Sequence, residues 1–591
     1  MDFDGKGRRW VGSETEWPEE FSTPRDLHED DFLCEVKRDN DADKDDVNVV
    51  LTNYGDAASL TADEVLEDFG RGVSLQDVED AIGPAGHRRA AWLDDRTYRI
   101  HHDRAYKYPI LDGSGDSRQY ANPLTGTGLL RALRELRFNH SCFPDAPRRL
   151  IYITDLDPAF VHALAATASI HQTPVLKDAI HKHLESHTSI AVKIPSEGFL
   201  TFQLNLHLPF FLLRKAKPPD DPVGGINTKP RRRWTALPFL RLERSRFQDQ
   251  ESEGVWGIHD AHISVVVAGS HDLRYTAYGF VDTEIDGYLT DCEEEDLRFD
   301  RIAGGEIEAD TPIWRARDYY LKIFEIRIDK VREEWEYLMH KLEPGVQQYM
   351  ADHPFTVSCR SALAGERSAE MKEAFDWALQ TMGLLRRLHG VLSDTVDAWA
   401  SFSSPGEDIG YFQSSPAAPI SQQARRSLRA VRTTFRELHG YQKRLALLIV
   451  SCSDFSETLN FHLKLEGKES ADYHGVNSEV VLSLFYPVAL VAAIFSVKPE
   501  AIPFDMNPKS FFLATLAAII IAYTIRAVVQ RLLASWPSLR RTVTAIWAVP
   551  LRGKVTDKPR GREGQDGLPP VASTRSRGRA ADMELAREQG H

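Results

Sequence analysis

Apolar and polar residues alternate strictly along "FLTFQLNLHL" (199–208). Leu200, Phe202, Leu204, Leu206 and Leu208 fall on one face, and Thr201, Gln203, Asn205 and His207 on the other. A two-residue period predicts a strand with one face buried and one solvated. "LIYITDL" (150–156) reads as a strand as well, and "ALPFLRLER", "HISVVVAG" and "LRYTAYGFV" extend the pattern downstream. Between the first two lies "TPVLKDAIHKHLESH", which predicts a helix. Thr173 is its expected N-cap, and Pro174 its first helical residue, where the missing N–H does no harm. Residues 76–310 therefore read as an α/β domain.

From about residue 312 the period changes. "RDYYLKIFEIRIDKVREEWEYLMHKLE" (317–343) is helical. In the next helix Met371, Phe375, Ala378, Met382, Leu385, His389, Leu392, Val396 and Trp399 recur at alternating steps of four and three. After a Ser/Pro-rich connector (401–420), the same rhythm returns in Leu428, Val431, Phe435, Leu438, Gln442, Leu445, Ile449, Cys452, Ser456, Leu459 and Leu463. A sustained 3.5-residue repeat predicts coiled-coil-like packing, most simply of helix 369–400 on helix 421–465. Gln442 and Ser456 are polar interruptions that would fix register. Residues 311–478 thus read as a stalk. Within it, "EGKESADYHG" (466–475) brings two glycines and is expected to interrupt the last helix.

Two uncharged apolar runs follow. Val480–Val497 would measure about 27 Å as a helix, close to the ~30 Å hydrocarbon core of a bilayer. Ser510–Ile525 is shorter, and becomes long enough if Arg526 snorkels and the helix continues to about residue 529. Residues 479–535 are therefore expected to form a two-helix transmembrane hairpin, with spans at about 480–497 and 510–529. A buried core hairpin is the alternative. Residues 526–562 carry nine Lys/Arg against a single acid, Asp557. The positive-inside rule then places both termini in the cytosol and the 498–509 loop outside. Residues 536–591 read as a basic, largely disordered tail.

Composition narrows the field. Mean hydropathy is −0.36 and 27 % of residues are charged, so most of the chain outside the apolar runs is suited to water. The net charge of −15 is concentrated at one end: residues 1–70 hold 21 Asp/Glu against 7 Lys/Arg. Residues 1–75 read as an acidic disordered arm, unsuited to be a basic mitochondrial leader. Five scattered cysteines without a CxxC pair suggest free thiols rather than disulfides or a zinc site. Arg231, Arg232 and Arg233 form a tight basic run in a Pro/Gly-rich loop, read as solvated; no nucleic-acid partner is expected. His183 and His187, four apart on a helix, lack the HExxH arrangement and read as packing residues rather than metal ligands; His101–His102–Asp103 is read the same way. The acidic stretch "DCEEED" offers Asp291, Glu293, Glu294, Glu295 and Asp296 as a speculative oxygen-ligand site for Mg²⁺. No phosphate-binding glycine loop or GxSxG elbow is found, so no enzyme activity is expected.

A soluble α/β domain, a helical stalk, two C-terminal spans joined by a short external loop and a basic tail together resemble a CorA-type magnesium channel. "YPVALVAAIFSVKPE" is similar to that family's Pro-x-x-Leu-x-x-x-x-Tyr-Gly-Met-Asn segment, with Pro487, Leu490 and Phe495 in step. The stretch "FLTFQLNLHLPFFLLR" and the run before it resemble the divergent fungal CorA-like branch. The resemblance spans roughly 150–535. It implies a homopentamer whose first span lines a pore, with Pro487, Leu490, Ala493 and Phe495 as pore or packing residues. It implies a mouth at Ser496, Val497 and Lys498, where the family has Gly, Met and Asn. Glu500, Asp505 and Asn507 occupy the external loop.

The substitution by Lys498 is the sharpest departure. Five ammoniums about 6 Å from a divalent ion would repel it by roughly 7 kcal/mol even at the dielectric of bulk water. The alternative is that Lys498 snorkels outward to lipid phosphates. The expectation is thus an α+β cytosolic domain, long coiled-coil-like stalk helices and a transmembrane hairpin. Its function would be divalent-cation (Mg²⁺) transport with a degenerate pore mouth. The alternative is a conduction-deficient membrane-anchored scaffold or sensor. Expected partners are the lipid membrane and four further copies. The expected location is multi-pass in the plasma membrane rather than an organelle. No cofactor is expected beyond Mg²⁺ as transported or regulatory ion.

Overall fold

The computed structural model describes residues 15–23, 65–66, 68–98, 100–101, 110–111, 115–196, 200–216, 232–240, 242, 254–282, 285, 298–353, 364–413, 420–480, 486–496, 509–525 and 527–528. The chain divides into two compact units, Met1–Lys468 and Glu469–His591.

The first unit is an α+β domain built on one large sheet. Its strands are β1 (Ala91–Thr97), β4 (Asp116–Ser117), β5 (Arg148–Thr154), β6 (Ser189–Lys193), β7 (Phe202–Ala216), β8 (Trp234–Ala236), β9 (Val255–His271) and β10 (Arg274–Val281). β2 (Ile100–His101) and β3 (Ile110–Leu111) form a separate ribbon. The order across the eight-stranded sheet is β4-β1-β5-β10-β9-β7-β6, with β8 also beside β9. Its pairings are antiparallel except β5 with β10, which is parallel.

Helices cover both faces of this sheet. Alternate side chains of β5 separate accordingly. Ile151 and Ile153 enter a core with α1 (Leu75–Glu79), α2 (Pro84–His87), α3 (Gly126–Arg134), α4 (Pro158–Thr167) and α5 (Thr173–Leu184). Leu150 and Tyr152 enter the opposite core, with α6 (Ala316–Asp352), α7 (Ala364–Phe402) and α8 (Gln422–Val480). β7 is therefore buried on both faces, which corrects the half-solvated strand expected from its alternation. Phe202, Leu204, Leu206 and Leu208 join the α6–α8 core, while Gln203, Asn205 and His207 are sealed from water on the other side. Polar residues tolerate such burial when hydrogen-bonded, and the Gln203 amide donates to Asp178 (3.2 Å) and to Asn205 Oδ1 (2.8 Å).

The heptads pack as their spacing predicts. Met371, Ala378, Met382, Leu385, Leu392 and Trp399 are buried on α7, and Val431, Phe435, Leu438, Leu445, Cys452 and Leu459 on α8. The Trp399 and Phe435 rings stack at 4.6 Å, and Gln442 donates to Ser393 Oγ at 2.9 Å, so this polar interruption does pair across the seam. α6 completes the packing, its Tyr349 stacked on Trp377 at 3.7 Å and its Phe324 edge-on to Phe435. Three helices are joined here, one more than the expected pair.

Other expectations need correction. α8 continues as helix through Gly467 and Gly475 to Val480, so the two glycines do not break it. A glycine inside a helix costs only about 1 kcal/mol relative to alanine, and Glu466, Lys468, Glu469 and Ala471 around them are good helix formers. The first half of "ALPFLRLER" does not continue as a strand: Ala236 ends β8, and Pro238, which has no N–H to give a ladder, begins a 3₁₀ turn at Pro238–Leu240. The N-cap of α5 is Gln172, with Thr173 inside the first turn.

The stretch read as an acidic arm contains an ordered piece. Thr15–Thr23 lies on the domain, with Trp17 5 % and Phe21 0 % exposed. Both rings sit about 5 Å from Phe202, and the Arg317 guanidinium lies over Trp17. Thr15 Oγ1 donates to the Glu407 carbonyl at 2.7 Å, and the Phe21 carbonyl accepts from Asp272 N–H at 2.9 Å.

In the second unit, α9 spans Tyr486–Phe495, and residues 509–525 are helical. Among the described residues no helix is long and apolar enough to cross a membrane. At 1.5 Å per residue α9 measures about 15 Å, half of a hydrocarbon core.

Candidate functional site

α9 carries part of the expected pore-lining set. Pro487 opens its first turn, where it removes no intrahelical bond. Val491 is 4 % exposed, whereas Leu490 is 52 % exposed and Ala493 is exposed with it. Phe495 is the last helical residue. Ser496 closes the turn: its N–H donates to the carbonyls of Ala492 (3.0 Å) and Ala493 (3.3 Å), and its hydroxyl to Ala493 (2.8 Å). Ser496 thus spends its donors on the helix end. Val497, Lys498, Glu500, Asp505 and Asn507 lie outside the described residues, as do Asp291, Glu293, Glu294, Glu295 and Asp296. Among the described residues no group of three or more His, Cys, Asp or Glu is arranged to hold a metal ion.

Large apolar side chains stand open along the helix at 509–525. Phe512 is 73 % exposed and Leu513 74 %, with Leu516, Ile520, Ile521 and Ile525 all more than half exposed. Contiguous exposure of this kind marks a surface that meets something apolar.

In the first unit the fold gathers a polar cluster that sequence spacing did not reveal. His207 on β7 faces Ser264 on β9 in the strand register. His183 reaches the same serine from α5. Ser264 Oγ lies 3.0 Å from His183 Nδ1 and 2.9 Å from His207 Nδ1. A hydroxyl has one proton and two lone pairs, so it donates to at most one of the rings, and at least one of the two imidazoles carries its proton on Nδ1 when both are neutral. The His262 ring stands edge-on to His183 at 5.1 Å, and its backbone N–H donates to Asp282 at 2.7 Å. Burial holds His207 neutral by pushing its pKa down to about 3, and the nearby Lys182 ammonium adds to this. His183, His207, His262 and Ser264 are all 0 % exposed. No substrate can reach this serine, so the serine–histidine contact is a core hydrogen-bond network.

Arg232 corrects the reading of its basic run as solvated loop. It donates to Asp282 (2.9 Å), to Ser186 Oγ (2.7 Å) and to the His183 carbonyl (2.9 Å), tying its segment to the histidine cluster. The sequence signal was weak. Neither His262 nor Asp282 stands near His183 in the chain; they meet where β9 pairs with β10 and α5 packs on β9.

A cleft of about 450 Å³ opens beside α6, lined among others by Glu306, Lys322, Glu325, Asp329, Lys330 and Glu333. Its charges are largely satisfied within the chain. Lys322 pairs with Glu325 at 3.0 Å, Lys330 with Glu333 at 3.7 Å, and Ser427 donates to Glu325 at 2.6 Å. Four carboxylates thus line the cleft against Lys322, Arg327 and Lys330, a near balance that favours no ion of either sign.

Comparison with protein-family models and with curated proteins finds no match. Among solved structures, the chain is similar to the full-length CmaX protein at 13 % identity, with 68 % of this chain and 92 % of that one covered and a TM-score of 0.28. It is similar also to the ZntB cytoplasmic domain from Vibrio parahaemolyticus RIMD 2210633 at 9 % identity, with 54 % and 90 % covered and a TM-score of 0.23. These likenesses decide no function.

Proposed function

We propose that the chain is a CorA-like divalent-cation transport protein with a degenerate pore mouth, working as a homo-oligomer in a membrane. The observation that carries the reading is the first apolar run, in which Pro487, Leu490 and Phe495 keep step with the CorA-type pore segment directly after a long heptad helix. The open apolar surface of 509–525 supports it, since such a surface is stable only against lipid or another apolar partner. In this reading the spans are about 480–497 and 510–529, both termini are cytosolic, the assembly is a pentamer in the plasma membrane, and Mg²⁺ is the ion. No enzymatic step belongs to it.

Lys498 favours a second reading, a membrane-anchored relative that has lost conduction and acts as scaffold or sensor. Mg²⁺ uptake in transporter-deficient cells separates the two. Robust wild-type uptake, unaltered by Lys498→Asn, is expected if the lysine faces lipid. Uptake that appears only in Lys498→Asn is expected if it faces the pore. No uptake in either form supports the scaffold. Extraction of the protein by alkaline carbonate would sink both.

A further inference from the structure

α8 carries a row of exposed cations. Arg425, Arg429, Arg432, Arg436 and Lys443 follow one another at steps of four, three, four and seven, so they share one helix face. Among the described residues none of the five forms an ion pair. The same face continues into Leu447 (68 % exposed) and Val450 (56 %), then Asp454 and Glu457, and Phe461 (61 %). From Arg425 to Val450, cationic and then apolar groups thus line up along a surface that the protomer itself leaves uncovered.

The outer face of α7 has the opposite character at its C-terminal end. Asp376, Leu379, Gly383, Gly390, Asp394 and Asp397 share it by the same spacing and are all exposed, with Lys372 and Arg386 as the cations farther back along it. Asp394 and Asp397 form no ion pair among the described residues. No atom lies within 4 Å of where a Cβ would stand at Gly383 or Gly390. Glycine is a poor residue for the middle of a helix, and here nothing in the protomer needs the space it leaves.

The two faces are matched in height. α7 and α8 run antiparallel, with Trp399 beside Phe435, Ser393 beside Gln442 and Trp377 beside Phe455. Asp394 and Asp397 therefore stand level with Arg436 and Lys443, and Gly383 and Gly390 level with Leu447 and Val450. We propose that a second copy of this chain docks its α8 face onto the α7 face of the first, with Arg436 and Lys443 against Asp394 and Asp397, and Leu447 and Val450 seated over Gly383 and Gly390. The proposal rests on the oligomeric reading above and names its interface. Because the two faces belong to different helices, the contact is heterologous and generates a ring when the rotation closes. Direct α8-to-α8 pairing of parallel copies would instead set arginine against arginine. Arg425 and Arg429 lie beyond the end of α7 and remain outside the contact.

The test uses full-length chains with Cys34, Cys142, Cys292 and Cys359 replaced by serine. Gly390→Cys and Leu447→Cys are placed on separately tagged copies, co-expressed, purified in mild detergent and oxidised. A crosslinked dimer carrying both tags is expected from the mixture, and none from either variant alone. Arg436→Asp should lower the mass of the assembly while leaving its melting unchanged, and adding Asp397→Arg to the same chain should restore the mass. An oligomer that persists without the mixed crosslink overturns this interface and leaves the oligomeric reading standing. Equal crosslinking of either variant by itself overturns it too. A wild-type protein that is monomeric in mild detergent overturns both.

Discussion

Arginines serve this molecule in two contrasting settings. In the sheet, Arg148 is 1 % exposed and bridges Asp94 (2.8 Å) and Asp300 (3.1 Å), while neighbouring Arg149 holds Asp95 through two bonds of 2.8 and 2.7 Å. On α8, four arginines and a lysine are exposed and form no ion pair among the described residues. The difference follows from the cost of desolvation. A buried guanidinium without a counter-charge is prohibitive, so the sheet supplies one. An exposed guanidinium is solvated at no cost and can wait for a partner from outside. The first setting fixes the fold. The second leaves a surface with a sign.

Breaking the buried setting should have the largest effect. Asp300→Ala removes one of the two carboxylates on Arg148, and the acceptor of the Tyr319 hydroxyl (3.0 Å), together. It should cost about 3 kcal/mol, the low end of the penalty for breaking a buried pair, because Asp94 still holds the guanidinium. A urea midpoint within error of wild type would show that the network contributes nothing.

The histidine cluster is buried without charge and responds to acid. His207 has its pKa lowered from 6.5 to about 3, so the unfolded chain takes up a proton over a range where the folded chain does not. Its contribution is fully present above 6.5 and is lost as pH falls toward about 3. The slope from this residue is about 1.4 kcal/mol per pH unit. His207→Asn should flatten the pH dependence of the unfolding midpoint between pH 6 and 4. An unchanged slope would contradict the assignment.

Smaller effects sharpen the exposed side of the comparison. Gly440 has no atom within 4 Å of its absent Cβ, so Gly440→Ala should stabilise α8 by about 1 kcal/mol. A loss of stability would mean that something packs there. Arg432→Ala should change stability by less than about 0.5 kcal/mol, because the exposed side chain forms no ion pair among the described residues. Thermal melting of both variants against wild type decides these points.

The helical half was the more legible. Heptad positions from Met371 to Trp399 and from Val431 to Leu459 encode their packing locally, through a repeat that needs only one partner helix. The strands at 150–156, 262–269 and 273–281 were also readable: the second lies inside β9, and the other two overlap β5 and β10 within two residues at one end. Burial of the polar face of β7 was not. Nothing in the alternation of Gln203, Asn205 and His207 distinguishes water from the underside of α5. Burial of Trp17 and Phe21 was equally hidden, since two aromatic residues in an acidic stretch carry no periodicity. Of the candidate site, Pro487, Leu490, Ala493, Phe495 and Ser496 fall on or just after α9. The histidine cluster escaped because its members meet only through strand pairing across long stretches of chain.

The order in which the chain is made gives the anchored segment at Thr15–Thr23 a particular role in time. Thr15 reaches the Glu407 carbonyl, 392 positions later. Its other neighbours, Phe202, Asp272 and Arg317, also follow it by well over a hundred residues. At about 5–20 residues per second, a ribosome needs tens of seconds to deliver that carbonyl after Thr15 has emerged. Until β7, β9 and α6 have been made, Trp17 and Phe21 have no site to occupy and are open to whatever meets nascent chains. Docking of the two rings therefore marks the passage of Arg317, and the Thr15 bond marks the later passage of the turn between α7 and α8. A chain stopped before α6 lacks part of that site and keeps two aromatic side chains exposed that the finished chain buries.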